Sequence, residues 1–185
     1  KFSQIVQQIQ PVVGQLRRKY IFFHFHIYLD LVDIIYKFVY SSNNVYIMKI
    51  ITLEGPSNCG KTETLHIVYN SLLQNGYQPI PNAFEDLFNN DFLDVVEKSG
   101  KIIGIVTQGD YAIGKCSVKK HLERLTKFNC DTIICACTLG DTKHKIKDAI
   151  MTYKPYHFLT KSKSINVNMQ DADNKKYASI IMSQI

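Results

Sequence analysis

The chain has 185 residues, 45% of them hydrophobic and 21% charged, with a formal charge of +6 and a pI near 9.0. That is enough for one domain with a proper core and too little for two ordinary ones. The positive surplus suits an anionic ligand but is too thinly spread for a DNA or RNA footprint: no basic run exceeds Arg17-Arg18-Lys19, and beyond residue 47 seventeen Lys and Arg face fourteen acids.

The first 47 residues stand apart. They hold ten of the twenty-one Phe and Tyr but only two acids, and KYIFFHFHIYLDLVDIIYKFVY (19–40) is unlike anything after it. Three readings compete. A membrane anchor is disfavoured because Asp30 and Asp33 interrupt the apolar run, and no stretch of about 18 uncharged apolar residues exists. An amphipathic docking helix is the second, with Leu29, Ile34 or Ile35 and Phe38 roughly at helical spacing. The third is translated upstream sequence: the chain starts at Lys1, its first methionine is Met48, and Phe, Tyr, Ile and Asn richness suits AT-rich codons. His24 and His26 alone make no metal site.

From Met48 the organisation is regular. MKIITLE (48–54) reads as a short buried strand bounded by Gly-Pro. It runs into GPSNCGKT (55–62), which fits G-x-x-x-x-G-K-[ST], the Walker A pattern. The chemistry asks for those residue types. Gly55 lets the chain leave the strand in a tight turn, and Gly60 removes a side chain where backbone N–H groups must approach phosphate. Pro56, Ser57, Asn58 and Cys59 complete the loop. The following helix offers its positive N-terminus, Lys61 is placed for the β- and γ-phosphates, and the Thr62 hydroxyl for Mg²⁺.

Residues 61–76 carry Leu65, Val68 and Leu72 at helical spacing, with Gly76 positioned to cap the end. YQPIP is a connector or short strand. AFEDLFNNDFLDVVEKSG (83–100) places Phe84, Leu87, Phe88, Phe92, Val95 and Val96 at spacings that predict one helix or two short ones, closing at Gly100. KIIGIVT (101–107) is a further buried strand, followed by the turn QGDY and a helix from about 114 to 128 ending at Asn129. DTIICACT (131–138) is a strand, then comes a helix through Ile150, a strand at YHFLT (156–160) and a closing helix in ADNKKYASIIMSQI.

Strands alternating with helices imply βαβ units, so the fold class is α/β: three layers, α/β/α, around a mostly parallel sheet. Ligands of such sheets sit beyond the carboxyl ends of the strands, which directs attention to the loops 55–62, 107–111 and 138–142. Asp110 ends KIIGIVTQGD and suits a Walker B role, accepting water ligands of Mg²⁺; the alternative is a turn-forming Gly-Asp. Gln108 is placed to orient water, and Thr138 and Asp141 to line the same cleft, although Asp141 also reads as a helix N-cap before Thr142-Lys143. Glu54 and Asp131 read as structural, and His66 and His121 as packing or surface histidines. Cys135 and Cys137 fall on one strand face as buried small hydrophobes. With Cys59, Cys116 and Cys130 they make an odd set, no signal peptide is recognisable, and the thiols are read as reduced, in a cytoplasmic protein.

Residues 48–62 resemble the opening of P-loop NTPases, and MKIITLEGPSNCGKT in particular resembles the first strand and loop of thymidylate-kinase-like nucleotide kinases. The resemblance implies ATP or another NTP as ligand, with Mg²⁺. Lys61 and Asp110 are the residues expected to carry chemistry, and Thr62 and Asp110 to hold the metal. Hydrolysis of ATP, transfer of its γ-phosphate to an acceptor as in a nucleotide or nucleoside kinase, and a nucleotide-dependent switch engaging a protein partner all remain open. Arg124 is the one arginine from Met48 onward, so lysines such as Lys115 or Lys143 are the other cations able to meet a transferred phosphoryl group.

Overall fold

The computed structural model describes residues 48–140, 144–164 and 166–185. The aromatic segment 1–47, with its anchor, docking and upstream readings, lies outside the described residues, as do Asp141, Thr142 and Lys143. What is described is an α/β arrangement of one mixed, mostly parallel sheet and four helices.

The strand β1 (Lys49–Gly55) occupies the middle of the parallel part of the sheet. It pairs in parallel with β6 (Thr132–Thr138) on one side and with β7 (Tyr156–Thr160) on the other. The next strand out beyond β6 is β5 (Lys101–Val106), also parallel. Both faces of these strands are covered, which is why TIICACT is buried at every position instead of alternating. Successive residues feed two apolar clusters. Ile50, Ile133, Cys135 and Cys137 join Val118, Leu122 and Leu125 of α2 (Val118–Leu125) and Ile146 and Ile150 of α3 (His144–Met151). Ile51, Leu53, Ile134 and Ala136 join Leu65, Val68 and Leu72 of α1 (Lys61–Gln74) and Ala178 and Ile181 of α4 (Val167–Met182).

The helix expected over 83–100 is absent, and a hairpin stands there. β4 (Phe92–Lys98) runs antiparallel to β5, with Lys98 opposite Lys101 across the two-residue turn Ser99-Gly100. Both turn residues are left-handed, φ 53° and 82°, the geometry that matches the twist of hairpin strands. Gly100 is thus a turn glycine and not a helix cap. Phe92 to Val96 are buried without a break, Leu93 and Val95 in one cluster and Phe92 and Val96 in the other. A strand covered on both faces carries apolar residues in a run, and such a run also satisfies helical spacing. The two-residue strands β2 (Gln78–Pro79) and β3 (Glu85–Asp86) pair antiparallel with β4. The full order is β2-β4-β5-β6-β1-β7, with β3 beside β4.

The helix ends follow their local chemistry. Gly76, at φ 87°, closes α1 as expected: its N–H reaches the Leu73 carbonyl at 2.9 Å while Tyr77 N–H reaches Leu72 at 3.1 Å, the paired bonds of a Schellman ending. α2 starts at Val118, later than expected, because Ser117 is its N-cap and accepts from Lys120 N–H. A 3₁₀ turn, Thr126–Phe128, and left-handed Asn129 finish it. α4 starts earlier than expected, where the Asn166 side chain accepts from Asn168 N–H at 2.9 Å. Among the described residues no helix is long and apolar enough to cross a membrane.

Candidate functional site

The loop 55–62 joins the carboxyl end of β1 to α1, and its glycines are required by space. A Cβ on Gly55 would stand 2.4 Å from the Lys161 carbonyl oxygen and 2.7 Å from Cys59 Sγ. A Cβ on Gly60, already at φ +83°, would stand 2.5 Å from Asn174 Oδ1 of α4. Asn58 supplies a second left-handed turn at φ 60°. Gly60 is also the N-cap of α1 and has no side chain to satisfy the first-turn N–H groups, which leaves those donors for an anion.

Lys61 is only 8% exposed. Its ammonium donates to the Pro56 carbonyl at 2.8 Å and the Gly55 carbonyl at 3.2 Å, so it lies folded along the loop. Thr62 Oγ1 donates to Asp91 Oδ1 at 3.1 Å, and Thr107 Oγ1 donates to the same oxygen at 2.9 Å. Burial raises the Asp91 carboxyl above its ordinary range, the two hydroxyls draw it back, and the negative charge of Asp110 pushes it up further.

Asp110 reaches this place by an indirect route. β5 does not adjoin β1, because β6 lies between them. After β5 the chain leans over β6: the Gly109 carbonyl accepts from Thr138 N–H at 2.9 Å, and a Cβ on Gly109 would meet the Ala136 backbone at 2.5 Å. Only glycine permits that crossing. Thr138, expected to line the cleft, is not among the residues that line it; its Oγ1 donates to Asp110, which is.

These groups surround a cleft of about 480 Å³. Ser57, Asn58, Gly60, Lys61 and Thr62 line one wall, and Asp91, Asp110 and Tyr111 another. Of the remaining loop residues, Gly55 and Pro56 meet the Lys61 ammonium through their carbonyls, and Cys59 is buried beneath the loop. Hydroxyl and carboxylate oxygens dominate, a donor set for a hard cation such as Mg²⁺, which takes few protein ligands and fills its shell from phosphate and water. Among the described residues no group of three His, Cys, Asp or Glu forms a cage able to hold a metal by itself.

Other sequence candidates are engaged elsewhere. Gln108 borders the cleft, but its amide donates to the Leu87 carbonyl at 3.3 Å and its oxygen lies 2.9 Å from His121 Nε2. His121 is fully buried, and burial first, then Arg124, lower its pKa to about 4. Arg124 can only donate, so its contact with Nδ1 places the ring proton on Nε2, which donates to Gln108. Arg124 also forks onto the two Glu85 oxygens and is committed to that network. Glu54 accepts from Lys147 at 3.0 Å and Thr160 at 2.8 Å, and Asp131 from Ile102 N–H at 2.7 Å, both in structural roles. His66 Nε2 lies 2.8 Å from the Asn90 carbonyl oxygen. Lys115 is exposed on the loop after Asp110. Burial pushes the Cys135 thiol up to about 12 and the Cys137 thiol to about 11, so both stay protonated.

Two residues of this region were not found from the sequence. Asp91 sat inside the expected helix; the signal available was Asn89-Asn90, both left-handed, breaking the chain just before FLDVV. Lys161, fully buried behind the loop, has no hydrogen-bond partner for its ammonium among the described residues, and the ammonium lies 4.7 Å from the Tyr177 ring centre. Burial lowers its pKa, and nothing in the local sequence announces it.

Comparison of the chain with protein families, with curated proteins and with solved structures gave no match.

Proposed function

We propose that residues 55–62 are the phosphate-binding loop of a nucleoside triphosphate, ATP foremost, in a three-layer domain of P-loop NTPase type, and that the protein transfers the γ-phosphoryl group. The observation that carries this reading is Lys61 held against the Gly55 and Pro56 carbonyls at the start of α1, with Thr62 facing Asp91 across the cleft. A buried ammonium at a helix N-terminus that lacks a side-chain cap makes a concentrated positive site. On binding, Lys61 turns from the carbonyls to the phosphate oxygens. Thr62 and Asp110 are the residues that would hold Mg²⁺, which supplies charge to neutralise the phosphate chain.

Transfer to an organic acceptor is favoured over hydrolysis by the second cleft that opens beside Asp91. A nucleotide-dependent switch has no comparable observation behind it.

The test is equilibrium binding of ATP with Mg²⁺ by the full chain and by Lys61→Ala. Charge-assisted hydrogen bonds contribute about 1.5–3 kcal/mol each, so a loss of roughly 10- to 100-fold in affinity is expected. Equal affinities for the two proteins would overturn the phosphate-loop reading.

A further inference from the structure

Beside the phosphate-loop cleft lies a second of similar size, about 480 Å³, and the two share Asn89, Asn90 and Asp91. Its walls are aromatic. Tyr69 and Phe92 meet edge to face with ring centres 4.9 Å apart, and Phe84 lies parallel to Phe92 at 6.3 Å. Phe84 is 61% exposed and Phe88 76%, an unusual presentation for two phenylalanines on one rim. Among the described residues, the charged groups on the lining are the carboxylates of Asp86 and Asp91, His66 is the one basic side chain, and neither Lys nor Arg takes part.

The loop that divides the two clefts is held in a demanding shape. Phe88, Asn89 and Asn90 are left-handed in succession, at φ 64°, 52° and 67°. Left-handed backbone is disfavoured for a side chain as bulky as Phe, and such strain persists where the surroundings enforce it. Here Asp86 Oδ1 accepts from Phe88 N–H at 2.8 Å, while Leu87 N–H to Asp91 O and Asp91 N–H to Phe88 O, both 2.9 Å, close the turn. The result turns the Phe88 ring outward and leaves Asp91 between the clefts.

We propose, building on the phosphate-loop reading, that this aromatic cleft binds the phosphoryl acceptor and that the acceptor is a hydroxyl-bearing organic cation. Aromatic faces and carboxylates attract ammonium groups, and a lining without Lys or Arg gives no counter-charge to a phosphorylated acceptor such as a nucleoside monophosphate. The shared carboxylate defines the reaction. Asp91 takes the proton of the acceptor hydroxyl, the hydroxyl oxygen forms a bond to the γ-phosphorus, and the bond from that phosphorus to the bridging oxygen breaks, the nucleoside diphosphate leaving with the electron pair. The place of Asp91 on the lining of both clefts puts this carboxylate between the phosphate loop and the acceptor site.

The experiment uses the full chain. Binding of choline and benzyl-substituted choline is measured by calorimetry against the neutral alcohol in which carbon replaces the ammonium nitrogen, and against thymidine monophosphate, with ATP binding followed on the same samples. Expected are tighter binding of the cations than of the neutral alcohol, and an Asp86→Asn loss of about fivefold or more in cation affinity, since one carboxylate charge is removed while the Asn oxygen can still accept from Phe88 N–H. Asp91→Asn removes the other carboxylate and should weaken cation binding by a similar, roughly fivefold amount, while losing about 100-fold or more in phosphorylated product at saturating cation. ATP binding without preference for the cations, or with preference for the monophosphate, overturns the acceptor assignment and leaves the phosphate loop standing. Absence of ATP binding by the unmodified chain overturns both.

Discussion

At the scale of single residues, the positions with least freedom are those where backbone meets backbone. Gly60 combines a left-handed φ with a neighbour 2.5 Å from any Cβ, so Gly60→Ala would have to displace Asn174 as well as adopt a disfavoured conformation. His121 makes a prediction of another kind. Its folded pKa of about 4 lies below the ordinary 6.5, so between those values the unfolded chain binds a proton that the folded one refuses. Stability is therefore full above pH 6.5 and falls as pH drops towards 4, by at most about 3 kcal/mol. Urea unfolding at pH 5 and pH 7.5 should show that loss in the unmodified protein and a smaller one in His121→Gln. An equal pH dependence in both would show that His121 is not the group responsible. The GPSNCGKT loop was legible because its chemistry is local: glycines, a lysine and a hydroxyl in fixed order. Asp91 was not, because its partner Thr62 lies 29 residues away and only the turn of β4 brings them together.

At the scale of elements, the β4–β5 hairpin is the instructive case. The residues counted towards a helical face over 83–100 divide in the structure: Phe84 and Phe88 are exposed, while Phe92, Val95 and Val96 are buried. Spacing alone could not separate a two-faced strand from an amphipathic helix, whereas the Ser-Gly pair between two apolar runs could have. A Cβ on Gly100 would meet nothing within 4 Å, so any penalty for Gly100→Ala comes from its φ of +82° and not from crowding. We expect Gly100→Ala to lower unfolding stability by about 1 kcal/mol. Ser99→Asn should raise it by a few tenths, since Asn-Gly is the preferred pair in this turn. Denaturant midpoints measure both, and a neutral Gly100→Ala would contradict the turn geometry. From 101 onward the element types and the helix end at Asn129 were legible, whereas the N-caps Ser117 and Asn166 set two helix starts away from where spacing put them.

At the scale of the whole molecule, strand order was the part hidden from the sequence. Periodicity reports which faces of a strand are buried and says nothing about which strand lies beside it. The placing of β6 between β1 and β5 follows from the path of the connections, and it makes Gly109 and Thr138 the means by which Asp110 approaches the loop. A ligand that binds only the folded chain stabilises the whole of it. ATP with Mg²⁺ at about 100 times its dissociation constant should add about 2.7 kcal/mol and raise the thermal midpoint. Chelating the metal should remove most of that shift, and Lys61→Ala should show little of it; a midpoint insensitive to nucleotide would contradict the proposed function.

The posture of Lys61 bears on how such measurements are read. Two loop carbonyls already occupy its ammonium, so phosphate and protein compete for the same cation, and binding exchanges one set of bonds for another. Removing the side chain deletes both sets at once. The affinity lost in Lys61→Ala therefore reports the difference between them and understates the strength of the ammonium–phosphate contact itself. The same deletion leaves the Gly55 and Pro56 carbonyls without that donor, so the loop should loosen even when no nucleotide is present.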